Sequence, residues 1–382
     1  MIYLDNNSTT PVLPEVLEAM LPCFAETFGN PSSIHGGGRR ALALVKEARQ
    51  QVAALLDCQT SEVIFTSGGT EGDNLALKGM MNPGDHLIVS AIEHSAILNT
   101  CTWLEKQGCE VTRVGVNGNG QVEPDCVAAA LKKNTKLISV MMANNETGVL
   151  QPVEEIGRIA AEADVWFHTD AVQAAGKIPI SVGKIGCDLL SISAHKIHGP
   201  QGMGALFAKR GTPLRPQLHG GHQEKRRRPG TENVAGIAGL GKASHIAQAG
   251  LTDGSVEQLA KLRDRLEDAI ESLVPDTSVN GRKAPRVPNT TNILFENVGG
   301  DALVMALDEL GIAVSRGSAC SAGGSDPSGV LMAMGLSGQQ SRSSLRFSLG
   351  KQNTWEEIES AIAGIPDGVR RLREKSLIFW NA

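Results

Sequence analysis

The chain has 382 residues, 41% of them hydrophobic and 20% charged, with a net charge of −5. That balance suits a globular protein with room for two domains, and the negative charge gives no support to general binding of nucleic acid or of a membrane surface. No apolar run approaches a membrane span, the N-terminus Met1-Ile2-Tyr3-Leu4-Asp5 lacks a signal-peptide pattern, and seven cysteines include no CxxC pair. A cytoplasmic protein with neither a disulfide framework nor a structural zinc site is expected.

In chain order, residues 1–12 are short and polar, with a turn at Asp5–Pro11. A helix follows Pro14, Gly29-Asn30-Pro31-Ser32-Ser33 interrupts, and a second helix is predicted from about Gly38 to Leu56. Alternation then sets in. Strands are predicted at Val63–Thr66, His86–Ser90, Glu110–Val114, Leu137–Met142 and Val165–Thr169, with helices near 70–81, 95–107, 123–132 and 152–163 between them. This pattern predicts a mainly parallel sheet with helices on both faces. Strands near 187–192 and 203–208 are separated only by a loop and are expected to be antiparallel neighbours. Gly250–Ser255 is a plausible boundary. Beyond it, a helix carrying Val256, Leu259, Leu262, Leu266 and Ile270 opens a region of mixed helices and strands, the strands predicted at Thr291–Phe295, Ile312–Ser315 and Ser344–Ser348: a smaller α+β domain.

Several strand ends carry small polar signatures. Ser67-Gly68-Gly69-Thr70-Glu71 opens a helix, and its backbone N–H groups suit an anion. Glu93-His94-Ser95 brings a histidine able to stack or to move protons. Asn145, in Asn144-Asn145-Glu146-Thr147-Gly148, offers a donor and an acceptor. Phe167–Gln173 ends on Asp170, a carboxylate able to hold a protonated ring nitrogen, with Gln173 three residues on. Ser193-Ala194-His195-Lys196 supplies two donors and a lysine that can condense with an aldehyde cofactor. In a parallel sheet these ends share one edge, where ligands bind.

In the second domain, Gly317-Ser318-Ala319-Cys320-Ser321-Ala322-Gly323-Gly324 sets one thiol among small residues, on what is expected to be a mobile, accessible loop. Arg346, on the predicted strand Ser343–Ser348, could bind a carboxylate bidentately. Three other signals fail. Gly236–Ala243 matches GxxxxGK without the final Ser or Thr and sits in an Ala/Gly-rich helical stretch, so it is not a P-loop. The pairs His195/His198 and His219/His222 lack partners for a metal. The basic run Lys225–Arg228 is followed by Pro229-Gly230-Thr231 and reads as a local loop.

Taken together, SGGTEGDN (67–74), NNETG (144–148), HTDAVQ (168–173), SAHK (193–196), RPGTEN (228–233) and GSACS (317–321) resemble the NifS/IscS-type cysteine desulfurases. The likeness runs from Leu4-Asp5-Asn6-Asn7 to Arg346–Gly350. It implies the aspartate-aminotransferase-like α/β fold (fold type I): a large domain at 13–250, and a small domain made of 1–12 with 251–382. It implies pyridoxal 5′-phosphate as cofactor, carried by Lys196, with Asp170 on the pyridine nitrogen, Gln173 on the ring hydroxyl and His94 stacked on the ring as acid–base. Gly69, Thr70, Ser193 and His195 would hold the phosphate, joined by Thr231 from the other subunit of a homodimer. Asn145 and Arg346 would hold the carboxylate of L-cysteine, with Asn30 nearby. Cys320 would take the sulfur as a persulfide and pass it to an iron–sulfur scaffold protein, a complex in which Cys320 could also ligate a cluster. Competing readings are a selenocysteine lyase or other pyridoxal-phosphate C–S lyase, an aminotransferase, and a non-catalytic sulfur-relay scaffold.

Overall fold

The alternating pattern of the first two thirds of the chain resolves, in the computed structural model, into one seven-stranded sheet; residues 1–317 and 326–380 are described, with side chains through 374. The strands lie in the order Val63–Thr66, Gly204–Ala208, Leu189–Ser193, Trp166–Asp170, Thr135–Ser139, His86–Ser90, Glu110–Val114. Gly204–Ala208 is antiparallel to both neighbours, including Leu189–Ser193 as expected, and every other pairing is parallel. Leu189–Ser193 is buried at all five positions. That is why it reads as a continuous apolar run: helices cover both faces of a parallel sheet. Gly36–Leu56, Val153–Glu162 and Val234–Gly250 contribute to the core on one face, and Gly69–Met80 and Ser95–Lys106 to the core on the other.

The remainder of the chain builds a three-stranded antiparallel sheet, Ser344–Ser348 beside Thr290–Phe295 beside Thr277–Val279. Its separate core joins Leu262 and Leu266 to Leu303, Phe347 and Ile358, and takes in Leu4 from the N-terminus. Ile2–Tyr3 pairs in parallel with Ile312–Ala313, so the first residues belong to this second sheet region. Two predicted strands are shorter than expected. Thr135–Ser139 stops before Met142, and there the Met141 N–H goes to the Glu93 carboxylate instead of to a strand. Ile312–Ala313 stops before Ser315, which makes a single bridge to Arg346. Among the described residues, no helix is long and apolar enough to cross a membrane.

The stretch that imitates a P-loop lies inside the helix Val234–Gly250, which packs against Gly36–Leu56. Its glycines serve close approach. A Cβ at Gly241 would lie 2.5 Å from Ala48 Cα, and one at Gly239 would lie 2.7 Å from Met20 Sδ. Backbone on one side cannot yield, so Gly241→Val is expected to cost about 2–3 kcal/mol in urea denaturation. Lys242→Ala, half-buried next door, should stay within roughly 0.5 kcal/mol; equal costs would contradict the packing account.

Candidate active site

Because the parallel strands run the same way, their C-terminal ends meet at one edge of the sheet. One cavity of roughly 250 Å³ opens there, and Gly69, Thr70, His94, Asn145, Asp170, Gln173, Ser193, His195, Lys196 and Arg346 all line it. Each lies at or within a few residues of a strand end, except Arg346, which reaches across from the small sheet.

Lys196 follows Leu189–Ser193 in a short 3-10 turn. Its Nζ donates to the carbonyls of Asn7 (2.5 Å) and Ser8 (2.7 Å). The amine is therefore held by backbone oxygens of the N-terminal segment. Asp170 is buried at the end of its strand and accepts the Val172 N–H at 2.8 Å. Burial pushes its pKa up, while His94, the Val172 N–H and Lys196 pull it back. His94 caps the helix Ser95–Lys106, its Nδ1 accepting the Ala96 N–H. Gln173 donates to the Asn7 carbonyl at 3.0 Å and accepts from Lys177 Nζ at 2.6 Å.

Two carboxyls are buried here, Asp73, which lines the cavity, and Glu93; among the described residues Asp73 Oδ1 and Glu93 Oε2 have no hydrogen-bond partner. Glu93 Oε1 accepts from Ser90 Oγ and from the Met141 N–H. Burial holds Glu93 up to about 8 and Asp73 well above the carboxylate range. His168, between Ser139 (2.8 Å) and Ser191 (3.1 Å), is pushed down to about 3 by burial and stays neutral.

One end of the cavity is built for an anion. Gly68, at φ +155°, turns the chain into the twelve-residue helix Gly69–Met80. A Cβ on Gly69 would lie 2.7 Å from Val172, so only glycine lets this helix start approach so closely. Ser193, His195 and Thr70 surround the helix start, whose N–H groups and dipole favour negative charge. Burial, and then Lys196, push the His195 pKa down to about 4, so at neutral pH the ring offers a neutral N–H or a lone pair. Glu71, the acidic residue at this end, is neutralised by Arg228 at 2.8 Å.

At the opposite end, Arg346 is 2% exposed. It ion-pairs with Asp5 at 2.6 Å and donates to Ser8 Oγ, the Asn145 carbonyl and the Gly317 carbonyl. Among the described residues its buried Nε has no partner. Glu146 accepts from Ser328 Oγ and lies 3.1 Å from where a Gly317 Cβ would be, so this carboxyl touches both sides of the 318–325 stretch.

Two expected residues stand apart. Asn30 is exposed, and its Oδ1 accepts the Ser32 N–H at 2.9 Å, closing an Asx turn; it does not line the cavity. Thr231 is also exposed and away from the cavity of its own chain. Cys320 lies outside the described residues. Residues the sequence reading passed over include Asn7, Ser8, Asp73, Glu93 and Lys177. The polar run Asp5–Ser8 looks like a turn, and nothing local reveals that it is threaded beneath a lysine some 190 positions on. Asp73 has a signal in retrospect: a carboxylate on the buried face of a helix.

The chemistry of these groups fits pyridoxal phosphate: the helix start could take a phosphate, the buried Asp170 carboxyl could hold a protonated nitrogen, Lys196 is an amine beside them, and the Arg346 guanidinium could take a carboxylate.

The aminotransferase class-V family model matches residues 2–360. A cysteine desulfurase IscS from Methanosarcina thermophila is 47% identical over 379 residues, 98% of this chain and 93% of the relative. Among solved structures, a NifS-like protein superposes with a TM-score of 0.90 at 37% identity, covering 97% of this chain and 99% of that one. SspA, solved in complex with cysteine, gives 0.82 at 37% identity over 92% and 99%.

The raised Glu93 pKa has a consequence for stability. Between the unfolded pKa and about 8, the folded protein keeps a proton that the unfolded chain has lost. The stabilisation is full below the unfolded value and fades as pH rises through about 8. Glu93→Gln keeps an acceptor for Ser90 and Met141 and has no proton to lose. Wild-type stability relative to this variant should therefore decline from about pH 5 to about pH 8 in urea titrations. A constant difference over that range would show that Glu93 is ionised in the fold.

Proposed function

We propose, from the premise that this chain belongs to the class-V aminotransferase family, that it is a pyridoxal 5′-phosphate-dependent cysteine desulfurase, converting L-cysteine to L-alanine and retaining the sulfur. The observation that carries this reading is the convergence of Lys196, Asp170, Arg346 and the Gly69–Thr70 helix start on one cavity. When bound, the cofactor supplies an electron sink for the substrate's α carbon.

The residues divide the remaining work. Gly69, Thr70, Ser193 and His195 hold the phosphate, and Asp170 keeps the ring nitrogen protonated. Gln173 would border the ring, and His94 would stack on it. Lys196 holds the cofactor and moves the proton at the substrate α carbon. To take up the cofactor, its Nζ must leave the Asn7 and Ser8 carbonyls. Arg346 and Asn145 orient the substrate carboxylate. Cys320, assigned from GSACS, takes the sulfur: its Sγ bonds to the substrate sulfur as the Cβ–S bond breaks, and the carbon keeps the electron pair and takes a proton.

A homodimer is part of the same reading. Leu21, Phe24, Phe28 and Ile34, which flank Asn30 in the sequence, all expose large apolar side chains, and exposed apolar surface of this kind marks interfaces. The exposed Asn30 and Thr231 would then serve the partner's site. The domain division at 12/13 and 250/251 is supported by the separate cores on its two sides. The persulfide sulfur goes to an iron–sulfur scaffold, in the cytoplasm.

Incubated with L-cysteine and no reductant, the purified protein should release alanine and gain one sulfur on the Cys320 peptide by mass spectrometry. Lys196→Ala should do neither, and alanine without the added sulfur would mean a lyase that frees sulfide directly. Arg346→Lys keeps the charge but loses the planar fork, and should raise KM for L-cysteine about tenfold or more. An unchanged KM would remove Arg346 from substrate binding.

A further inference from the structure

A second cavity, of roughly 240 Å³, lies behind the active-site lysine where the two sheet regions meet. Its walls are aliphatic: Leu13, Ile246 and Ala247 on one side, Val256, Leu259 and Leu349 on the other. Its charged lining is cationic, consisting of Lys177, Lys196 and Lys351, and no aspartate or glutamate lines it among the described residues.

The inner end is the informative one. Lys177 is 9% exposed. Its Nζ meets two neutral acceptors, Gln173 Oε1 at 2.6 Å and Asn7 Oδ1 at 3.3 Å. An ammonium has three donors, and among the described residues no carboxylate pairs with this one. Lys196 and Arg346 add further positive charge around it. Burial, and then the Lys196 and Arg346 charges, pull its pKa well down with no anion to offset them, and a carboxylate beside Nζ would restore the ammonium. The asparagines that line the cavity beside it are already committed: Asn289 Nδ2 to Asn7 Oδ1 and the Leu349 carbonyl, Asn353 Nδ2 to the Tyr3 carbonyl and Glu357. Lys351, exposed, stands at the mouth. The carboxylate closest to it in effect, Asp253, lies at the surface and is occupied by Ser255.

The geometry points to a binding site for a small aliphatic carboxylate, its head on Lys177 and its chain between Ile246 and Leu259. The volume is below the range of pockets for drug-sized ligands, and the walls would leave a multiply charged anion such as phosphate poorly solvated. The site is coupled to the catalytic lysine by short steps. The Asn7 carbonyl accepts from both Gln173 and Lys196, and Lys177 holds the other oxygens of Asn7 and Gln173. A carboxylate that draws Lys177 toward itself therefore loosens the acceptors that position Lys196.

The test is calorimetric titration of the purified holoenzyme with sodium hexanoate, at constant ionic strength, with hexylammonium chloride as the cationic control. One hexanoate per chain and no binding of hexylammonium are expected. Leu259→Trp, which fills the cavity, should abolish binding. Lys351→Glu, at an exposed position that leaves folding intact, should weaken it about fivefold or more. Neither residue lines the catalytic cavity, so hexanoate held by Arg346 would bind both variants as it binds wild type. That result, or no binding of hexanoate to wild type, overturns the proposal.

Discussion

Asn7 spends every polar atom it has, and the rest of the site depends on how. Its carbonyl receives Lys196 and Gln173; its side-chain oxygen receives Lys177 and Asn289; its side-chain nitrogen donates to Thr290 and to the Asn145 carbonyl; its backbone N–H donates to Ser348. The residue is 2% exposed. Four of these partners lie along the large sheet's edge and three in the small sheet region. A buried polar group must be satisfied or it destabilises the fold, so this residue helps tie the two sheet regions together, alongside the apolar cluster of Ile92, Met141, Val330, Leu331 and Met334.

The same hub gathers the charged groups of the cavity. Lys177, Lys196 and Arg346 crowd together near the carboxyls of Asp5 and Asp170, while burial pushes Asp73 and Glu93 up and Lys177 down, each toward its neutral form. Oxygens of Asn7, Ser8 and Gln173 receive the two lysines. With its carboxyls held toward the neutral form, the site favours anionic ligands, and a phosphate and a carboxylate are the two groups a pyridoxal-phosphate enzyme of cysteine brings in.

Much of this was legible beforehand, for a physical reason. A buried parallel strand is an unbroken apolar run, and its end must break into small polar residues, so the strand–loop junctions at Thr66, Ser90, Asp170 and Ser193 announce themselves. The family likeness then supplied roles that spacing cannot. What stayed hidden depends on long-range closure. Asn7 resembles any turn asparagine until Lys196 lies over it, and Lys177 resembles a surface lysine after a helical turn until the small sheet covers it. Beyond Thr135–Ser139 the Val140 and Met142 N–H groups still reach the Trp166–Asp170 strand, but Met141 gives its N–H to Glu93, far away in sequence. Asn30 illustrates the converse: its resemblance-based role met a closed Asx turn on the surface.

The pairing of Ile2–Tyr3 with Ile312–Ala313, and of Asn7 with Ser348, joins residues 2–7 to residues some three hundred positions later. On the ribosome the large sheet can gather as it emerges, but the carbonyls that steady Lys196 have no fixed place until Ser348 has left the exit tunnel. Synthesis at roughly 5–20 residues per second makes that a delay of tens of seconds. During it Lys196 and Lys177 are ordinary solvated amines, and the loop entropy of a closure this long is paid only once the chain is whole. The reactive lysine is thus assembled last, and a truncated chain is a sheet without a working amine.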